Sequence, residues 1–429
     1  MPHTGSSQKN YGALVSRLRE TFEPWVFAAC LIVLSPVVHT IMTWDNDGKL
    51  TNGAFAIRHY SLPVIILELG VIWIAAKAGF QPTKSFMQLG KPVQCMLATW
   101  FMVALISACN RTDQLALSII ITARYAIHVF VLAATVFLIK VSDTFESALW
   151  IRALTIGACC YLLALVLFIA LVPSPDSFPW VYRLPSATNV RQIGNNLSLL
   201  AIAPIAGLLV RDSGNKGWYF IAVALITAFV AWTGTRGGLL GLALGTCFAI
   251  MATPRFTTLR NLGMLIASCT TGLLISMAAF HPAPQFGLFR MVATISTDDA
   301  SSGRVLMWIN TLTEIATSPF FGSGSGRFRE NMLKYGFENN HPHNFVLQYI
   351  YDWGIIGGAA ALIALTWLGL RLFQFKNQVS TIRFLSLAGF TGTLSIAMIE
   401  GTLFHPLPML IGSALIAPAL GLVKKKHDE

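Results

Sequence analysis

Residues 150–172 read WIRALTIGACCYLLALVLFIALV, an apolar run that contains one charged residue, Arg152. An α-helix of this length spans about 34 Å, enough to cross the roughly 30 Å hydrocarbon core of a bilayer. At least eight runs of 17 or more largely apolar residues recur along the chain of 429 residues. The pattern therefore predicts an all-α polytopic membrane protein.

The composition points the same way. Hydrophobic residues make up 55% of the chain and charged residues 11%, whereas an ordinary soluble domain is about 25% charged. Such a low charge content excludes a soluble enzyme, a secreted disulfide scaffold and a disordered chain. The seven cysteines lie inside or at the edges of apolar runs without metal-ligand spacing, so no disulfide is expected.

We predict about twelve transmembrane helices in a single membrane domain, 1–429, and expect the tenth to be bent or broken. The predicted spans are residues 25–43, 60–77, 93–109, 115–139, 150–172, 195–210, 218–233, 238–253, 261–280, 344–371, 384–399 and 407–423. The preceding segment carries Lys9, Arg17 and Arg19 and is interpreted as a cytoplasmic tail rather than a cleaved signal peptide. With twelve spans, both termini are expected in the cytoplasm.

The type of basic residue differs between the two predicted sides. The inner segments hold ten Lys and eight Arg, whereas the outer segments hold two Lys and nine Arg. A guanidinium binds phosphate oxygens bidentately, and lysine acts as a point charge. The outer arginines therefore predict a phosphate or pyrophosphate ligand rather than nucleic acid, although single arginines can also reach the phosphates of membrane lipids.

One large loop, residues 281–342, is predicted outside and is expected to carry function, because structureless loops of this length are uncommon. Its middle, Arg304 to Ser318, has apolar residues at helical spacing, with Ser301 or Ser302 as a cap. That stripe consists of Val305, Trp308, Ile309, Leu312, Ile315 and Ala316. We interpret it as a short amphipathic helix on the membrane surface or on the bundle.

The most informative motif is SPFFGSGSGRFRENMLKYGFENNHPHNFVLQYIYDWGIIGG, residues 318–358. His341 and His343 flank Pro342 where a span begins, and histidine can take up a proton near neutral pH, so both are candidate general bases. A capping or packing role is the alternative for either one. The turn from Gly322 to Gly326 could cradle a phosphate, but a plain turn is the simpler interpretation.

Three further segments place arginines on the same predicted side. They are TGTRGGLLGLALG at 233–245 with Arg236, SATNVRQIGNN at 186–196 with Arg191, and SSGRVLMW at 301–308 with Arg304. The second segment adds amides at Gln192, Asn195 and Asn196. Since these segments belong to different spans, their side chains can converge at one edge of the bundle.

Together, TGTRGGLLG, the outer loop with SGR..MW, FGSGSGRF and HPHNFVLQYIYDWGIIGG resemble the O-antigen ligase and polymerase family over about residues 218–372. The resemblance implies a GT-C-like glycosyltransferase of the bacterial inner membrane with a periplasmic active site in residues 218–372. Such enzymes transfer a glycan from undecaprenyl pyrophosphate without a metal or other cofactor. The ligase uses lipid A–core oligosaccharide as acceptor, and the polymerase extends the lipid-linked glycan.

The resemblance and the chemistry together suggest roles for individual residues in an inverting transfer. His343 is expected to be the base, with His341 as the second choice, and Asn344 and Gln348 are expected to contact substrate. The expected pyrophosphate ligands are Arg191, Arg236 and Arg304, with Arg290 and Arg327 in reserve. The ligase is favoured over the polymerase because the chain has one large outer loop rather than two.

Two rival hypotheses remain. Asp45 and Asp47 in WDNDG form a D-x-D pattern that could bind a hard cation, although this is also an ordinary turn sequence, so metal independence is predicted. A transporter or flippase would more often show repeated halves and polar residues near the midplane. Glu68, Arg124 and His128 do lie in apolar runs and could pair with one another or line a cavity.

Overall fold

The computed structural model describes residues 23–45, 60–109, 115–210, 215–254, 256–288, 301, 303–374 and 380–422. Within these ranges the regular secondary structure is helical and contains no strand. The predictions for Asp47, Arg290, Ser302 and the N-terminal tail fall outside the described residues.

Sixteen α-helices occur in the described part of the chain, and each of the twelve predicted spans overlaps one of them. The helices are α1 Pro24–Met42, α2 Leu62–Lys77, α3 Pro82–Met87, α4 Lys91–Cys109, α5 Leu115–Val141, α6 Ser147–Ala170, α7 Trp180–Arg183, α8 Val190–Leu209, α9 Lys216–Trp232, α10 Arg236–Ala252, α11 Leu259–Ala278, α12 Arg304–Thr317, α13 Phe328–Leu333, α14 Phe345–Gln374, α15 Ser380–Ala397 and α16 Pro406–Gly421. Seven of them, α1, α4, α5, α6, α8, α11 and α14, are long and apolar enough to cross a membrane. The prediction of an all-α polytopic membrane protein is confirmed, and the count of twelve spans stays a prediction.

Helix α8 forms the centre of the bundle. Apart from Arg191 and Gln192 in its first turn, all of its residues are buried. It packs against α6, α9, α10, α15 and α16. Glycine allows close approach here, because a Cβ at Gly194 would collide with the hydroxyls of Thr233 and Thr235 in the turn between α9 and α10. The first turn of α8, which carries Arg191, is thereby held against the start of α10.

Helix α14 is broken, as expected for the tenth span. Gly354 adopts φ 64° and ψ −176°, which interrupts the helix. The Gly/Ser turn packs against the break, since the Ser323 N–H donates to the Tyr351 carbonyl at 2.8 Å and the Ile355 N–H donates to the Pro319 carbonyl at 2.7 Å. The turn therefore supplies backbone partners that the broken helix lacks, which agrees with its interpretation as a structural turn.

The loops of alternate helices gather at opposite ends of the bundle. At one end, the Thr235 hydroxyl donates to the Arg191 carbonyl at 3.3 Å and Arg304 contacts Glu400. At the other end, Lys216 Nζ donates to the Val210 carbonyl at 2.6 Å. This arrangement fits the predicted alternation, while the assignment of the first end to the periplasm stays a prediction.

The predicted amphipathic helix is present as α12. Its polar side is buried, with Thr311 at 0% and Glu314 at 4% exposure, whereas Ile309 and Leu312 are each 55% exposed. Part of the predicted apolar stripe therefore faces outward, while Ile315 packs against a buried cluster and the Trp308 indole N–H donates to the Pro342 carbonyl at 2.8 Å. The prediction of Ser301 as the N-cap residue was wrong, because Gly303, with φ 79°, occupies that position; Ser301 Oγ accepts a 3.4 Å bond from the Val305 N–H instead.

The intramembrane polar residues are partly paired. His128 Nδ1 lies 2.6 Å from Glu68 Oε1. Arg124 is not part of that ion pair; its guanidinium donates to the Phe404 carbonyl at 2.6 Å and stacks over the Phe404 ring. The Glu68–His128 pair joins α2 to α5, and Arg124 supports the loop between α15 and α16.

Candidate functional site

The site is built around Glu400, a buried carboxylate in the loop between α15 and α16. Its Oε1 lies 2.6 Å from Arg304 Nη2, and its Oε2 lies 3.3 Å from His343 Nδ1. Arg304 begins α12, and His343 lies two residues before the start of α14. The Glu400 carboxylate therefore contacts Arg304, a predicted phosphate ligand, through one oxygen and faces His343, the predicted base, with the other.

Arg191 and Arg236 complete this cluster from two other segments. Arg191 lies in the first turn of α8 and interacts electrostatically with Glu400, Arg304 and Arg236. Arg236 is the first residue of α10, and a Cβ on the following Gly237 would lie 3.1 Å from the Glu400 side chain. The three arginines predicted as the main phosphate ligands are thus brought into one cluster, in which Arg304 and Arg191 interact with Glu400. Three guanidinium groups and one carboxylate in this cluster leave an excess of positive charge, which an anionic ligand can neutralise.

The electrostatics keep Glu400 ionised. Burial alone would raise its pKa, but the neighbouring His343, Arg304 and Arg191 outweigh that effect and hold the pKa of Glu400 below its usual value. Because the pKa is lowered in the folded protein, the stability gained from the ionised carboxylate is present above the ordinary carboxyl pKa and is lost as the pH falls through the lowered value. At neutral pH Glu400 is a fixed negative charge.

His343 is held in an unusual backbone conformation. Its φ is 54°, in the left-handed region that few residues other than glycine adopt. Its Nε2 lies 3.1 Å from the Asn339 amide nitrogen, on the opposite side of the ring from Glu400. Since a ring nitrogen that faces a carboxylate carries the proton, Nδ1 would be protonated and Nε2 would be the basic nitrogen. The role of His343 as a general base stays a prediction.

His341 is more enclosed than His343. It is 6% exposed, and its ring centroid lies 4.3 Å from that of His343 and 4.9 Å from that of Phe404. Its Nδ1 accepts a 3.2 Å bond from the His343 N–H. In this structure His341 supports the strained backbone of His343, whose side chain is 23% exposed.

The two amides predicted to contact substrate make structural bonds. Asn344 Oδ1 accepts from the Val346 and Leu347 N–H groups and thereby caps α14, while its Nδ2 donates to the Met398 carbonyl. Gln348 Nε2 donates to Asp352 Oδ2 at 2.7 Å. Both residues line a small depression that also contains Glu400. Their contact with substrate stays a prediction.

The structure describes Arg327, one of the two reserve arginines, and Asp45, one of the two aspartates of the alternative metal site. Arg327 is 3% exposed and lies beside the Gly/Ser turn at the start of α13. Asp45 lies 3.8 Å from Arg183 in an ion pair. In the part of the chain that the structure describes, no group of three or more His, Cys, Asp or Glu side chains is placed to hold a metal. Metal independence nevertheless stays a prediction.

Sequence reasoning missed Glu400 and the contact between Gln192 and His405, whose Nε2 atoms lie 2.8 Å apart. A signal for Glu400 was available, because it is the one acidic residue in the short predicted loop between residues 399 and 407. A lone charge at the edge of two apolar spans is costly unless it is paired or used. The partners of Glu400, however, are distant in sequence, so the sequence alone could not predict which residues it contacts.

The fold and this cluster define a multi-pass membrane protein with a group of arginines and a histidine at one end of its bundle. A family model described as O-antigen ligase matches residues 221–362. An O-antigen ligase of Pseudomonas aeruginosa is 25% identical over 192 residues, which is 44% of this chain and 42% of that protein. An uncharacterised protein of Haemophilus influenzae is 28% identical over 186 residues, 38% of this chain and 44% of that protein.

These matches support the O-antigen ligase family for this chain, as the sequence motifs predicted. The chain spans less than half the length of each of the two relatives. Arg236, Arg304 and His343 fall inside the matched residues 221–362, and Arg191 and Glu400 fall outside them.

Proposed function

We propose that this protein is a polyprenyl-diphosphate-dependent glycosyltransferase that moves O-antigen glycan from undecaprenyl pyrophosphate to lipid A–core oligosaccharide. The reaction takes place at the periplasmic face of the bacterial inner membrane. The observation that carries the proposal is the cluster of Arg191, Arg236 and Arg304, in which Glu400 pairs with Arg304 and also contacts His343. Such a site combines a diphosphate-binding cluster with a base, the two functions that glycan transfer requires.

The acceptor is activated by His343. As an acceptor hydroxyl attacks the anomeric carbon of the donor glycan, its proton passes to Nε2 of His343, a step that typically contributes about 10² to 10⁴ in rate. Glu400 faces Nδ1 at 3.3 Å and stabilises the imidazolium that forms. The acceptor hydroxyl takes the place beside Nε2 that the Asn339 amide occupies in this structure.

The leaving group is stabilised by the arginines. As the new glycosidic bond forms, the bond between the anomeric carbon and the pyrophosphate oxygen breaks, and undecaprenyl pyrophosphate departs with the electron pair. Arg191, Arg236 and Arg304 meet the developing negative charge in a partly buried site, where such stabilisation is large. Attack from the face opposite the leaving group inverts the anomeric configuration. No metal is required for either half of this chemistry.

The direct test is reconstitution of the purified protein in bilayers with an undecaprenyl-pyrophosphate-linked glycan and lipid A–core. We expect glycan on lipid A–core as the product. A longer lipid-linked glycan with lipid A–core unconsumed would indicate the polymerase of the same family. Movement of the donor across the bilayer without a new glycosidic bond would indicate a flippase and would overturn the proposal.

A further inference from the structure

Helix α12 contacts the histidine segment through Trp308, about one turn after Arg304. The Trp308 indole N–H donates to the Pro342 carbonyl at 2.8 Å, and the two residues are 34 positions apart in the chain. An indole N–H is a donor only, and it usually has a partner when it is shielded from water. The proposed reaction uses Arg304 from the segment SSGRVLMW but gives no role to Trp308. This bond joins the helix that carries a proposed phosphate ligand to the backbone beside the proposed base.

Both polar groups of the peptide unit between Pro342 and His343 are held by side chains. The Pro342 carbonyl accepts from Trp308, and the His343 N–H donates to His341 Nδ1 at 3.2 Å. A peptide unit is planar, so two bonds at its opposite ends fix the orientation of the whole plane. The φ angle of His343 is the rotation between this plane and the remaining atoms of His343. The two bonds therefore restrain that angle.

The restrained angle is unfavourable for a histidine. At φ 54° His343 lies in the left-handed region, where the strain costs about as much free energy as one or two hydrogen bonds supply. Its ring lies 3.3 Å from Glu400 and 3.1 Å from Asn339, but these contacts act on the imidazole and not on the peptide plane. Loss of the bond from Trp308 should therefore lower the population of the conformation that places the imidazole beside Glu400.

Helix α12 is anchored on both sides of Trp308. Its first residue, Arg304, lies 2.6 Å from Glu400. Met307 is 3% exposed and belongs to a buried apolar cluster, and Thr311 is fully buried. Because an α-helix of 14 residues is held by its own backbone bonds, these anchors also fix Trp308. The indole therefore approaches the histidine segment from a fixed position.

We propose that Trp308 is a positioning residue that holds His343 in its left-handed conformation through the Pro342 carbonyl. The inference rests on the proposed function, since it takes His343 to be the base. Trp308 acts through the backbone and not on a reacting atom. Loss of the indole N–H should therefore slow the proton transfer to His343 without weakening the binding of the donor pyrophosphate by the arginines.

The test removes the N–H of Trp308 from the full-length protein in nanodiscs. Trp308→Phe removes the donor, and 3-benzothienylalanine in place of Trp308 keeps the shape of the ring while sulfur replaces the N–H. Trp150→Phe is the matched control, because the Trp150 indole also donates to a backbone carbonyl, that of Ala414 at 3.1 Å. Trp150 lies in the first turn of α6, roughly 30 Å along that helix from the end that leads to α8.

Three quantities are measured for each variant. They are the equilibrium binding of the lipid-linked glycan, the single-turnover transfer rate at saturating donor and acceptor, and the side-chain ¹⁵N NMR signals of His343, assigned with His343→Gln. We expect both Trp308 variants to bind the donor within about twofold of wild type and to lower the rate roughly five- to tenfold, as the loss of one hydrogen bond implies. The His343 signals report which ring nitrogen carries the proton, and they should change in both Trp308 variants but not in Trp150→Phe.

A wild-type rate in both Trp308 variants would overturn the proposal, as would unchanged His343 signals. A donor affinity that falls by the same factor as the rate would also overturn it, because Trp308 would then act on the arginine cluster. Failure of the proposed function is a separate result, in which the wild-type protein forms no glycosidic bond. The NMR signals then still show whether Trp308 holds His343.

Discussion

At the scale of single residues, Glu400 connects the arginine cluster to His343. Its two oxygens face Arg304 at 2.6 Å and His343 at 3.3 Å, so the carboxylate fixes the position of the base relative to the arginines. In an apolar bundle that fixed negative charge also lowers the cost of holding several guanidinium groups close together. Glu400 is therefore proposed to be a positioning residue rather than a group that reacts.

Replacement of Glu400 tests this role. Glu400→Gln keeps the shape of the side chain but removes its charge, so His343 loses the partner that fixes its tautomer. By comparison with other carboxylate–histidine pairs, we expect the transfer rate to fall on the order of 10²-fold, with a changed pH profile. The rate is measured by single-turnover glycan transfer.

Glu314→Gln is the matched control for that variant. Glu314 is also buried and also lies in an ion pair, 2.7 Å from Lys334, but ten residues after Arg304, near the other end of α12. We expect it to transfer glycan at nearly the wild-type rate. Equal rates for Glu400→Gln and wild type would show that Glu400 has no part in positioning the base.

Replacement of an arginine by lysine tests the pyrophosphate cluster. Arg304→Lys and Arg236→Lys keep the positive charge but lose the planar fork that binds two phosphate oxygens. We expect each to lower kcat/KM for the donor by roughly tenfold or more, measured with the lipid-linked glycan. Arg260→Lys, in α11 at the other end of the bundle, is the control and should leave donor kinetics unchanged. Wild-type kinetics in both cluster variants would contradict the assignment.

At the scale of elements, the apolar runs were sufficient to predict the helices, since a membrane span has to satisfy its backbone internally. The break in the tenth span was also expected. The contact between the Gly/Ser turn and the broken helix was not, because it depends on backbone groups that only the folded chain brings together. Gly354 makes that contact possible, and a Cβ there would collide with the Phe320 backbone.

A pair of glycine variants separates this contact from simple backbone strain. Gly354 and Gly336 both have positive φ, 64° and 80°, but a Cβ at Gly336 would meet nothing within 4 Å. Gly336→Ala should therefore cost about 1 kcal/mol from strain alone. We expect Gly354→Ala to lower the Tm in detergent by clearly more than Gly336→Ala does, and equal shifts in Tm would argue against a tight contact.

At the scale of the whole molecule, the site is assembled from five segments that span residues 191 to 400. The sequence indicated that Arg191, Arg236, Arg304 and His343 would lie on one side, because an alternating topology places their loops there. It could not indicate that they would meet at Glu400, since spans of similar hydropathy can be packed in many orders. Packing around α8, with small residues between helices, brings these loops together.

The alternating topology makes a prediction for the whole chain. Reporter domains fused at Lys216 and at Phe328 should lie on opposite sides of the membrane, because these first residues of α9 and α13 are predicted at opposite ends of the bundle. The measurement is periplasmic alkaline phosphatase activity against cytoplasmic fluorescence for the paired fusions. Both reporters on the same side would contradict the predicted orientation of the site.

The most direct test of the central claim is single-turnover glycan transfer by His343→Ala in reconstituted bilayers with excess EDTA. His281→Ala, a histidine in the loop that follows α11, is the control. We expect wild type and the control to transfer glycan in EDTA, and His343→Ala to insert and fold normally but to form no product. Transfer by His343→Ala at the wild-type rate would contradict the account.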